Sequence, residues 1–204
     1  MAEPPDIMSQ DPIATPKPLE DLSAVLSKLQ SEAGLAKGRS LPPVHLWHPE
    51  NCGDIGMEIR KDGSWWHEGV RITRDKLVRL FSTILRKDED GIYLVTPYEK
   101  VIVHVEDAPF IAVRADKVGD GAAQALVMTT NVGDVFTVDA DHPIRVDIDP
   151  ETGEPSPYVE VRAGLEARIG RAPFYELVEW AEPVEDGAAL AVRSNDELFR
   201  LGAV

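Results

Sequence analysis

The side chains of this chain with the most chemical potential are few and scattered. His45, His48 and Cys52 lie close together, and a His-x-x-His step with a nearby cysteine could approach a transition metal. The segment Val44-His45-Leu46-Trp47-His48-Pro49 reads as strand or coil, however, so the two imidazoles face opposite ways. No second Cys/His cluster completes a set of four ligands. Cys52 as a nucleophile would need a base within hydrogen-bond reach and an oxyanion hole, and Cys52-Gly53-Asp54 carries no such signature. There is no Gly-x-Ser-x-Gly, phosphate loop or dinucleotide fingerprint. Asp139, Asp141, Asp147, Asp149 and Glu151 are dense but miss the spacing of a calcium loop, so they read as a solvated acidic face. These residues predict no catalytic set, no metal and no cofactor.

Two aromatic and basic segments hold more promise. On a strand, Trp65 and Trp66 point to opposite faces. One joins the core, and Trp66, beside His67 and Glu68, can line a pocket edge or cover a neighbouring element. Thr96-Pro97-Tyr98-Glu99-Lys100 lies between two similar units, where Tyr98 and Lys100 can face a cleft.

Charge narrows the partners. The chain has 204 residues and a formal net charge of −15. Residues 1–54 carry 4 basic and 8 acidic side chains, residues 55–117 carry 11 and 11, and residues 118–204 carry 6 and 17. That distribution argues against nucleic acid and anionic membrane surfaces, both of which need a surplus of Lys and Arg. A local basic pocket could still hold a small anion. Beyond Lys117 every cation is arginine, the better bidentate clamp. Cys52 is the only cysteine, so no internal disulfide forms and a reducing compartment fits. No secretory signal and no apolar run of about 20 residues is present. The expectation is a cytoplasmic protein.

The elements that must position these groups follow from periodicity. Residues 1–18, with five prolines, read as a disordered tail. Residues 19–43 read as an amphipathic helix, with Leu19, Leu22, Val25, Leu26 and Leu29 as its stripe, followed by a linker. Strand alternation begins at Ile55, with an Asp62-Gly63 hairpin turn. Thr73 is expected to cap a helix over 74–87. Strands are expected at 91–96, 99–105, 109–115, 124–130, 135–139, 143–148, 157–162, 188–193 and 197–201. Pro173 opens a second helix with Phe174, Leu177, Val178 and Ala181 as its buried stripe. This is α+β, mainly antiparallel β with a few helices.

Two stretches also read as copies. Met57-Glu58-Ile59-Arg60, a helix with Leu77-Val78, and Asp90-Gly91 into a strand are echoed by Val159-Glu160-Val161-Arg162, a helix with Leu177-Val178, and Asp186-Gly187 into a strand. A duplicated two-domain architecture follows, with residues 44–97 as the first unit, residues 98–204 as the second, and a cleft between them.

Asp62-Gly63-Ser64-Trp65-Trp66, Ile72-Thr73-Arg74, Leu80-Phe81-Ser82-x-Ile84-Leu85-Arg86, Leu94-Val95-Thr96-Pro97-x-Glu99-Lys100 and Val105-Glu106-Asp107-Ala108-Pro109-Phe110 stand in an order similar to that of a proteobacterial family, domain of unknown function 1285. The resemblance covers roughly residues 42–200. It implies a two-domain protein made by duplication, with a C-terminal domain superficially like a pleckstrin-homology fold. It also implies a site at the domain interface for a nucleotide-like molecule, and a role in signal transduction. It implies no catalytic residues. Tyr98 stands where the family typically has a smaller aliphatic residue, which alters any pocket there.

Together these readings predict a non-enzymatic small-ligand-binding or regulatory protein with an anionic or nucleotide-like ligand between its units. Arg74, Lys100 and Arg162 are expected to pair the charge, and Trp66 and Tyr98 to stack a ring. The alternatives are a protein–protein interaction module without a small ligand, which would use the acidic second unit or the N-terminal helix, and a hydrolase with a scattered catalytic set.

Overall fold

The computed structural model describes residues 41–203. The expected tail, the helix over 19–30 and most of its linker lie outside the described residues. The chain that follows builds six strands: β1 (Asn51–Ile59), β2 (Trp65–His67), β3 (Val70–Arg71), β4 (Leu85–Asp88), β5 (Gly91–Val95) and β6 (Lys100–Val105). They form one sheet in the order β3-β2-β1-β6-β5-β4. The next six are β7 (Phe110–Val118), β8 (Ala125–Thr130), β9 (Val135–Thr137), β10 (Ile144–Ile148), β11 (Pro155–Arg162) and β12 (Leu165–Ile169). Their sheet runs β10-β11-β12-β7-β8-β9.

Read from its other edge, the second order is the first with every number raised by six. In each sheet two antiparallel three-stranded meanders meet through one parallel pair. That pair is β1 with β6 in the first sheet and β7 with β12 in the second. The duplication is therefore a duplication of sheets. It does not follow the residue likeness in the sequence, which sets β1 against β11. Both of those strands lead into a tight hairpin with positive-φ residues, Gly63 in one and Ala163-Gly164 in the other. The same turn chemistry makes them read alike. The changeover between sheets falls between Val105 and Phe110, past the expected division at residue 97, because β6 pairs with both β1 and β5.

Helix α1 (Asp75–Thr83) connects the two meanders of the first sheet. It is shorter than expected at both ends. Arg74 is the N-cap and makes no side-chain cap bond, so Thr73 is not the cap. At the other end Ser82 and Thr83 turn their hydroxyls back onto the carbonyls of Arg79 and Leu80, which competes with the next helical turn. The chain then straightens into β4, where Leu85 pairs with Leu94. Helix α2 (Arg171–Glu179) follows β12, with Pro173 in its first turn as expected. Pro173 and Leu177 are buried, but Val178 is 38% exposed and does not join the core.

A third sheet, β13 (Glu182–Val184), β14 (Ala189–Ser194) and β15 (Glu197–Ala203), closes the fold. Buried Ser194 fastens it to the second sheet. Its hydroxyl accepts from the Leu126 N–H at 2.9 Å and donates to the Val138 carbonyl at 2.6 Å.

One apolar core runs through both halves. Met57, Ile59, Trp65 and Phe81 contribute from the first, and Phe110, Leu126, Met128 and Leu165 from the second. The Trp65 and Phe81 rings lie 6.0 Å apart, centroid to centroid. The α+β class is as expected. The strand order does not establish a pleckstrin-homology likeness for the C-terminal half.

Candidate functional site

A cleft of about 630 Å³ opens where the β1–β2 turn of the first half meets the second half. Its floor is apolar: Ile111 of β7, Pro157 of β11, Ile169 at the end of β12 and Phe174 of α2. Polar groups stand on the walls. Lys61 comes from the first half; Glu154, Arg168, Arg171 and Tyr175 come from the second. The first turn of α2 also reaches the cleft through Gly170 and Arg171. Among the described residues, no ion pair or side-chain hydrogen bond engages the side chains of Lys61 or Arg171, and both residues are exposed. Two uncommitted cations and a third on one wall are notable in a chain of net charge −15.

Local sequence explains each placement. Asp62-Gly63 closes the β1–β2 hairpin: the Gly63 N–H donates to the Arg60 carbonyl at 2.8 Å, with Gly63 at φ +76°. A Cβ on Gly63 would lie 2.8 Å from Asn131 Nδ2 and 3.1 Å from the Ile111 side chain. The turn can therefore press against the second half only because its residue is glycine, and this contact brings Lys61 over the cleft. On β12, Leu165, Ala167 and Ile169 are buried while Glu166 and Arg168 alternate with them. That alternation turns Arg168 out of the core.

Arg168 is held from behind. Its Nη1 donates to Asp107 Oδ2 at 2.7 Å, and the Tyr158 hydroxyl donates to Asp107 Oδ1 at 2.7 Å. Asp107 belongs to the connector between β6 and β7. Burial alone would raise the Asp107 pKa; the bonds from Tyr158 and Arg168, with the charges of Arg168 and Lys61, outweigh it and hold the carboxyl below its ordinary value. Burial, then the bond to Asp107, pushes the Tyr158 hydroxyl up. The neighbouring Glu106 accepts the Lys61 backbone N–H at 2.8 Å.

The five residues expected to bind ligand are not gathered here. Trp66 sits on the outer face of the first sheet, its indole N–H on Ser64 Oγ at 2.8 Å and the Arg60 guanidinium 3.6 Å above its ring. Arg74 is exposed at the start of α1. Tyr98 is 67% exposed in the β5–β6 turn. Lys100 is already engaged: its Nζ lies 2.5 Å from Asp88 Oδ2 and 3.8 Å over the Tyr93 ring. Trp66 pairs with Glu58, and Glu58 with His104. Lys100 is therefore four residues down β6 from that point, about 13 Å along the strand.

Arg162 does reach the junction of the halves, but as a pin. Its Nη2 donates to the Ser82 carbonyl of α1 at 2.6 Å, its Nη1 to Asp134 at 2.8 Å, and its guanidinium lies 4.8 Å from the Phe110 ring centre. The cleft is lined instead by Lys61, Arg168, Arg171 and Tyr175, which the sequence patterns did not single out. The Leu165–Ile169 alternation was a legible signal for Arg168, and Pro173 marked the helix start that carries Arg171.

Elsewhere among the described residues, His104 and Asp54 form an exposed pair at 2.7 Å, and the His104 bond holds the Asp54 carboxyl below its ordinary value. Cys52 is exposed, with its thiol directed at the Glu50 carbonyl at 3.7 Å. No group of three or more His, Cys, Asp or Glu side chains is arranged to hold a metal among the described residues.

These features define a class: an α+β protein of two matching six-stranded sheets and a smaller third, with a cleft carrying Lys61, Arg168 and Arg171 at the junction of its duplicated halves. The chain belongs to the DUF1285 family. Residues 42–108 match the family's N-terminal domain of unknown function, and residues 109–201 match the C-terminal domain of the protein of unknown function. A crystal structure of a DUF1285 family protein from Silicibacter pomeroyi DSS-3 is 46% identical, with a TM-score of 0.77 over 86% of this chain and 95% of that one. A second, from Shewanella baltica OS155, is 29% identical over 61% of this chain and 91% of its own, with a TM-score of 0.49. A comparison with curated proteins finds no match. No helix among the described residues is long and apolar enough to cross a membrane.

Proposed function

We propose that this protein is a non-enzymatic ligand-binding regulator, and that its ligand is a small anion-bearing molecule, nucleotide-like in having a flat or apolar body, held in the cleft between the halves. The observation that carries this reading is the pairing of uncommitted Lys61 and Arg171 with Arg168 around an apolar floor. Arginine donors suit oxyanions, and exposed Tyr175 offers a ring face at the rim. Because Lys61 comes from one half and the arginines from the other, an anion bridging them favours one arrangement of the halves. That is the property a signal-transducing protein needs.

The test is thermal stabilisation by a panel of phosphate- and carboxylate-bearing small molecules. A ligand at 100 times its dissociation constant stabilises the folded state by about 2.7 kcal/mol. The double variant K61A/R171A should lose at least tenfold in affinity while melting like wild type without ligand, since both side chains are exposed. A response unchanged in the double variant would move the site elsewhere. A response that is flat for every compound would favour a protein-interaction module. The outer face of the second sheet, with Val118 56% and Val135 65% exposed, is the surface that reading would use.

A further inference from the structure

The charges around the cleft set a limit on its ligand. Lys61, Arg168 and Arg171 face it, and Glu154 stands among them on the same walls. Asp107 takes one N–H of Arg168 at 2.7 Å. Three cations against these two carboxylates leave an excess of one. Outside the cleft the field is set by a chain of net charge −15. A second negative charge on the ligand would therefore meet Glu154 on the wall and the field of Asp107 behind Arg168, with no net positive charge left to balance it, and would still lose its hydration.

Asp107 also leaves Arg168 useful. Only Nη1 of Arg168 is engaged among the described residues, so Nε and Nη2 remain to hold an oxyanion, on a guanidinium already fixed from behind. The apolar floor of Ile111, Ile169, Pro157 and Phe174 then suits an uncharged body.

Building on the reading of the cleft as an anion site, we propose that it selects a ligand whose head carries a single negative charge, a phosphodiester or a carboxylate, and discriminates against phosphomonoesters and polyphosphates. Glu154 and Asp107 are the residues that set this limit.

Two probes with the same ring separate charge from shape. Methyl phenyl phosphate is a monoanion, and phenyl phosphate is a dianion at pH 8. The wild-type chain should bind the diester at least as tightly as the monoester. D107N and E154Q each raise the cleft charge by one and should shift the ratio toward the monoester by about tenfold for D107N, and less for exposed Glu154. E154Q touches no bond of the fold, so it reports even if D107N melts early. Benzoate, a carboxylate on the same ring, tells the two heads apart, and binding of either head supports the proposal. A wild-type preference for phenyl phosphate of tenfold or more would overturn it, as would a ratio unmoved in both variants while binding persists. If no probe binds the wild type, the anion reading of the cleft fails at its root, a result distinct from a wrong charge preference.

Discussion

Asp107 does two things at once. It ties the connector between the sheets to Tyr158 and Arg168, and it orients a guanidinium at the cleft. Its folded-state pKa is depressed, so its ionised form contributes stability above the unfolded value near 3.8, and that contribution is lost as pH falls through the folded value. D107N should cost about 1–3 kcal/mol at pH 7, because Tyr158 and Arg168 are left sharing one acceptor oxygen. Below about pH 4 the gap between wild type and D107N should close. Chemical denaturation from pH 3 to 7 checks this; parallel curves throughout would contradict it. At this scale the sequence was partly legible. The chain shows which residue types an anion would need, Arg or Lys with an aromatic, but not which of them the fold brings to one cleft. Lys100 looked free because nothing local in the chain reveals that Asp88, twelve residues earlier, takes its charge. Arg162 looked like a clamp, and its partners Asp134 and Ser82 are 28 and 80 residues away.

The β1–β2 turn must touch Ile111 and Asn131, and Gly63 is the residue that permits it. G63A adds a Cβ at 2.8 Å from Asn131 on a backbone at φ +76°, so it should destabilise by at least about 1 kcal/mol. It should also weaken ligand binding through the displacement of Lys61. A calorimetric melt of G63A equal to wild type would contradict that contact. The third sheet is fastened by Gln124, whose amide donates to the Arg193 carbonyl, and by the Ser194 hydroxyl, which serves one donor and one acceptor in a fully buried position. S194A strands both and should cost about 1–3 kcal/mol. Faster amide exchange concentrated in β14 and β15 would be the local sign. Most strands were legible from alternation and turn glycines. The short ones were not: β4 was absorbed into a helix because Leu80, Phe81, Ile84 and Leu85 keep helical spacing up to the point where Ser82 and Thr83 break the ladder. β12, which carries Arg168, alternates over only five residues between the β11 alternation and the Pro173 helix start, so its own signal is short.

For the whole molecule, the duplication and the cleft belong together. Two sheets with the same strand order pack on one core, and the surfaces left between them come from different parts of the repeat. The two-unit architecture could be read from the chain. The equivalence of β1 with β7 could not, since hydrogen-bond partners define it and residue likeness does not. The central claim is that the cleft holding Lys61, Arg168 and Arg171 binds the anion. Amide chemical-shift mapping during titration with methyl phenyl phosphate tests it most directly. Saturable shifts should cluster at Lys61, Ile111, Arg168, Gly170 and Arg171, with little change at Trp66, Tyr98 and Lys100. Saturable shifts centred on Trp66, Tyr98 and Lys100, with the α2 N-terminus unmoved, would contradict it.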